Sequence, residues 1–126
     1  MARFFMAIAA ILAAISVAAG AFGAHALKAR VSDRALEIFE VGTRYQMYHA
    51  LGLLLVGILL LHVGSGYPLL NAAGVAFLTG IIVFSGSLYA LSLTGIQWLG
   101  AITPLGGLAF VIGWALLAIA ALHLKS

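Results

Sequence analysis

From Phe4 to Phe22 the chain carries no charged side chain, and Ser16 is the only hydroxyl in the run. Nineteen or so such residues, at 1.5 Å rise each, match the roughly 30 Å hydrocarbon core of a bilayer. Three further apolar runs of similar length come after it. Together they restrict the chain to one kind of fold. Backbone polar groups in lipid must pair within their own segment, so each run must be a helix. Composition agrees: 65% of the 126 residues are hydrophobic and only 7% charged, against about 25% charged in a typical soluble domain. The mean hydropathy is +1.23. The expectation is therefore an all-α polytopic membrane protein. The first run, ending in Ala18, Ala19, Gly20 and Ala21, also resembles a signal peptide with a small-residue cleavage site. Its apolar length exceeds the usual signal-peptide core, so it reads as the first membrane helix.

Turn signals divide the rest. GSGYP (Gly64 to Pro68) combines two glycines with a proline. Thr94 to Leu99 forms a short connection carrying Trp98, an interfacial anchor. Thr103 before Pro104 suggests a helix start, with threonine as cap and proline in the first turn. The expected spans are residues 4–26, 45–63, 71–93 and 104–124, within one domain over residues 1–126. Small residues recur at Ala10, Ala14 and Ala18, and again at Gly106 and Gly113, spacings that allow close helix approach.

Between the first two spans lies the most polar stretch, DRALEIFEVGTRYQMYH (Asp33–His49). Ser32 is placed to cap it, with Asp33 in the first turn. At 100° per residue, Asp33, Glu37, Glu40 and Arg44 fall within an arc of about 60°. Residues 33–44 are thus expected to form a separate amphipathic helix at the membrane surface. Its charged stripe would be a surface for a partner or for lipid headgroups. The order Glu40, Arg44 favours an ion pair worth about 0.2–0.5 kcal/mol.

Four antiparallel spans put both termini on one side of the membrane and the amphipathic stretch on the other. Lys28, Arg30, Arg34 and Arg44 then oppose Arg3 and Lys125, which places the stripe in the cytoplasm and both termini outside. The same alternation brings polar residues to one depth. These are His25, Tyr45, Gln46, His49, Ser85, Ser87, Tyr89 and Thr103, with Ser92 one turn on. Tyr45, His49 and Gly52 share one helix face, as do Ser85, Tyr89 and Ser92. The cluster reads first as interhelical hydrogen bonding and second as a ligand site.

Catalytic, cofactor and metal sites are not expected. There are no cysteines, and the four histidines divide between the two membrane faces, so a zinc site with three convergent ligands is not indicated. No carboxylate lies inside an apolar run to relay protons. The three acids look like a solvated helix face. A basic cluster interleaved with aromatics, the mark of nucleic-acid binding, is also missing. Two functions remain: a non-enzymatic interaction or structural protein of the bilayer, or a small-solute or lipid transporter or channel assembled as a homo-oligomer around His49, Tyr45 and Tyr89.

Four segments carry a resemblance: GAFGAHAL (Gly20–Leu27), FEVGTRYQMYHAL (Phe39–Leu51), FSGSLYALSLTG (Phe84–Gly95) and WLGAITPLGGLAFVIGW (Trp98–Trp114). In this order and spacing the chain resembles the domain of unknown function 423 family, small bacterial membrane proteins with a eukaryotic transmembrane relative. The resemblance implies four membrane helices in the bacterial inner membrane, and it brings no activity.

Overall fold

A computed structural model describes residues 1–125. Helix α1 spans Ala2–His25, and a single 3-10 turn over Leu27–Ala29 leads to α2, Asp33–Val63. The third crossing is composite: α3 (Pro68–Gly80), a π-helical turn (Ile81–Ser85) and α4 (Gly86–Thr94). A 3-10 segment, Gln97–Ala101, precedes α5, Thr103–His123. Four of these spans are long and apolar enough to cross a membrane: Ala2–Ala29, Asp33–Val63, Pro68–Thr94 and Gln97–His123.

The separate amphipathic helix expected over residues 33–44 is not found. Its residues are the first three turns of an unbroken 31-residue α2. Nothing in VGTRYQ breaks a helix except Gly42, and Gly42 is filled from outside: a Cβ there would meet the Tyr89 ring at 2.7 Å. The Ser32 cap does form, its side chain accepting from the Ala35 amide at 3.1 Å. The Glu40–Arg44 pair does not. Among the described residues, the ion pair on this face is Arg34 with Glu37, at 3.4 Å and well exposed.

α2 is the hub. α1 runs antiparallel along it, with Met6 against Gly57 and Phe39 against Gly23. On its other side stand the composite third crossing and α5. One packing rule recurs: a glycine on one helix receives a large side chain from another. Phe5 lies over Gly74, Phe110 over Gly80, Phe77 over Gly113, and Phe77 with Trp114 over Gly52. Such sites let helices approach closely in lipid, where dispersion replaces the hydrophobic effect as the driving force. Gly106 and Gly113 do pack tightly, as their spacing suggests. Ala10, Ala14 and Ala18 instead face outward, and the buried positions of α1 are Ala2, Phe5, Ala9, Ser16 and Gly23.

The π turn lies where Gly106 meets Phe84 backbone to backbone. A π turn holds one residue more than an α turn and so re-aims the side chains beyond it. Here it points the fully buried Ser85 at α2, with its hydroxyl donating to the Gly42 carbonyl at 2.7 Å. Thr103 does not cap α5 as expected. Its hydroxyl turns toward Ser87 and toward the Leu99 carbonyl, because the 3-10 segment before it already continues the chain into the helix.

Candidate functional site

The polar seam forms around α2, at the depth where its charged turns give way to apolar ones. Gln46, 3% exposed, joins three helices through one amide. Its Nε2 donates to the Leu12 carbonyl of α1 at 2.8 Å, and its Oε1 accepts from the Tyr89 hydroxyl of α4 at 2.6 Å. One turn toward the charged end, Ser16 of α1 donates to the Thr43 carbonyl at 2.6 Å. Ser87 and Thr103 tie α4 to α5 through their hydroxyls at 2.6 Å. Among the described residues, Ser92 bonds within its own helix alone, to the Tyr89 carbonyl.

His49, 4% exposed, has both ring nitrogens occupied. Trp114 Nε1 lies 3.0 Å from His49 Nε2, and the Tyr45 carbonyl lies 2.7 Å from Nδ1. An indole N–H can only donate, so Nε2 is the acceptor and Nδ1 bears the proton. This geometry defines a neutral imidazole in the Nδ1–H tautomer. The ring also stacks on Phe110, with centroids 3.5 Å apart and planes 7° from parallel. Tyr45 and Phe77 close two further sides.

Nitrogen chemical shifts of ring-labelled His49 in bilayers should therefore show a protonated Nδ1 and an unprotonated Nε2. Trp114→Phe keeps most of the packing but removes the donor, and should lower unfolding free energy in micelles by about 1–2 kcal/mol. A protonated Nε2 in the folded protein would contradict the assignment.

Of the residues expected to meet, Gln46, His49, Ser85, Ser87, Tyr89 and Thr103 take part in interhelical ties. Tyr45 contributes its carbonyl and an aromatic face, 5.0 Å from the Phe84 ring centroid. His25 does not join: it ends α1 and is exposed. Ser16, Phe110 and Trp114 were missed by sequence reasoning. Two of them carried a signal. Ser16 is the lone hydroxyl of an apolar run, and Trp114 is a tryptophan in mid-span, away from the interface where its N–H finds partners easily.

The seam can lock helices together, and the bonds to Tyr45 and Trp114 engage both ring nitrogens of its histidine. Among the described residues, no three His, Asp or Glu side chains gather closely enough to hold a metal. Two surface cavities of about 350 and 280 Å³ lie elsewhere. The first is bounded by His62, Tyr67, His123 and Lys125, the second by Arg34, Ile38, Leu91 and Gln97. Neither is lined by Tyr45, His49 or Tyr89.

Four apolar crossings around a hydrogen-bonded seam define a polytopic integral membrane protein of the all-α class. The chain belongs to the family described as "Protein of unknown function (DUF423)", whose model matches residues 19–107. It is similar to a UPF0382 membrane protein of Staphylococcus epidermidis, 48% identical over 122 residues, 95% of this chain and 96% of the relative. It is also similar to UPF0382 membrane protein YwdK of Bacillus subtilis, 47% identical over 119 residues, 94% of this chain and 96% of the relative. No solved structure matches the chain.

Proposed function

We propose that this chain is a non-enzymatic interaction protein of the bacterial inner membrane, with the seam as its internal lock and the charged end of α2 as its contact surface. The observation that carries this reading is the contrast between the two halves of Asp33–His49. Gln46 and His49 are buried with their polar groups paired, whereas Asp33, Glu37 and Arg44 are exposed. A solute path built on His49 would need water to reach an imidazole whose nitrogens are both engaged. The stripe needs no rearrangement to meet a partner. The excess of basic residues at its end of the bundle favours a cytoplasmic position, with both termini outside.

A photo-crosslinking residue at Glu37 or Arg44 in the membrane should give discrete adducts with cytoplasm-facing proteins. Combining Asp33→Asn and Glu37→Gln should abolish those formed from position 44 while changing stability by less than about 0.5 kcal/mol, as expected for exposed charges. If no adduct formed at either position, and substituting His49 altered solute flux in proteoliposomes, the transport reading would replace this one.

A further inference from the structure

The cavity at the other membrane face has a chemistry of its own. It lies where the ends of α2 and α5 meet the turn into α3, and its walls are His62, Val63, Tyr67, His123, Leu124 and Lys125. Its volume of about 350 Å³ is within the range of small-molecule sites. Its polar groups include donors that are unspent, and one free acceptor, because His123 donates from Nδ1 to a backbone carbonyl and so leaves Nε2 as a lone pair. Among the described residues, the His62 ring and the Tyr67 hydroxyl make no hydrogen bond, and His123 uses only Nδ1, 2.8 Å from the Ile119 carbonyl. Lys125 adds a full positive charge. All three acidic side chains of the protein, Asp33, Glu37 and Glu40, lie at the opposite end of α2. A cation as ligand is therefore disfavoured and an anionic group is favoured.

Two details separate a lipid from a free anion. The carboxyl ends of α2 and α5, whose carbonyls carry partial negative charge, meet here with the amino end of α3, whose first amides carry partial positive charge. A bare phosphate would leave the carbonyls unmet, whereas a phosphate with an ammonium beside it would place both of its charges well. Adjoining the cavity in sequence, Leu61 and Leu122 are exposed, at 57% and 85%, on helices that face hydrocarbon. We propose that this cavity seats the phosphate of a zwitterionic phospholipid headgroup of the phosphoethanolamine class. The phosphate meets Lys125, the Tyr67 hydroxyl and the His62 ring, the ammonium meets the carboxyl ends of α2 and α5 and the His123 Nε2 lone pair, and the acyl chains descend past Leu61 and Leu122.

The test uses the full chain in a neutral detergent, titrated by native mass spectrometry. The probes are short-chain phosphatidylethanolamine, phosphatidylglycerol and diacylglycerol with the same acyl chains, and inorganic phosphate. Phosphatidylethanolamine should give one saturable adduct, bound at least about tenfold more tightly than the other three. His62→Gln, His123→Gln and Lys125→Gln together should weaken it by about tenfold or more, as expected for loss of charge-assisted hydrogen bonds. Arg34→Gln, at the opposite face, should leave it unchanged. Lys125→Gln alone, at an exposed chain end, should weaken it about threefold and serves if the triple variant fails to fold. Unchanged affinity in the variants overturns the proposal. So does phosphatidylglycerol, diacylglycerol or free phosphate binding as tightly as phosphatidylethanolamine.

Discussion

Gly106→Val is expected to destabilise the bundle by about 3 kcal/mol or more, or to prevent its assembly. Overpacking a filled core usually costs about 1–3 kcal/mol, because neighbouring side chains can shift. Here the neighbour is backbone. A Cβ at residue 106 would meet the Phe84 Cα and Cβ at 2.7 Å, and the Phe84 amide nitrogen lies closer still. Relief would require α5 to move away from the π turn as a body. That movement would also lift Phe110 from Gly80 and Phe77 from Gly113, since all three contacts lie on the same pair of crossings. Gly20→Ala is the matched control, because nothing lies within 4 Å of its added methyl, and it should be neutral within about 0.5 kcal/mol. Reversible unfolding in mixed micelles, monitored by tryptophan fluorescence, distinguishes them. Equal stabilities for the two variants would mean that the Gly106 contact is not close-packed.

Gln46→Leu should cost about 2–3 kcal/mol, more than the average interhelical hydrogen bond of about 0.6 kcal/mol. The reason is what it leaves behind. The Leu12 carbonyl loses its second bond but keeps its intrahelical one, whereas the Tyr89 hydroxyl loses its partner, and a buried polar group without one costs about 1–3 kcal/mol. Tyr89→Phe alone should cost about 1 kcal/mol, because Gln46 keeps its bond to Leu12. Adding Tyr89→Phe to Gln46→Leu removes the orphaned hydroxyl, so the double variant should be less destabilised than the sum of the two. A double-mutant cycle reads this coupling directly. Strict additivity would show that the 2.6 Å contact carries no energy.

These two positions differ in how far their roles could be read in advance. Gln46 belonged to the expected polar cluster because helix alternation alone puts residues 45–49 and 85–92 at one depth. Its partner in α1 could not be read. The acceptor is the backbone carbonyl of Leu12, and a carbonyl looks the same at every residue. The spacing of Gly106 and Gly113 pointed to close packing, but not to Phe84 and Phe77 as the groups that fill the spaces. Ala10, Ala14 and Ala18 show similarly regular spacing and are exposed. A small residue permits close approach without requiring it, and which face is used depends on where the partner's large side chains stand. The amphipathic stretch failed for a related reason. Its charge periodicity is real, but periodicity describes a face and not an end, and Tyr89 filling Gly42 lets the helix run on into the membrane.

Taken alone, the residue order determined that this protein lives in the bilayer, crosses it four times and holds most of its charge between the first apolar run and the second. Those outcomes come from local physics: apolar length against bilayer thickness, and glycine, proline and serine at the turns. The tertiary structure decided the rest. It joined residues 33–44 to the second crossing, inserted a π turn in the third, set Trp114 on His49, and gathered His62, His123 and Lys125 around one cavity. Each of these depends on which side chain from a distant segment fills a given space, and that information lies in no single stretch of the chain.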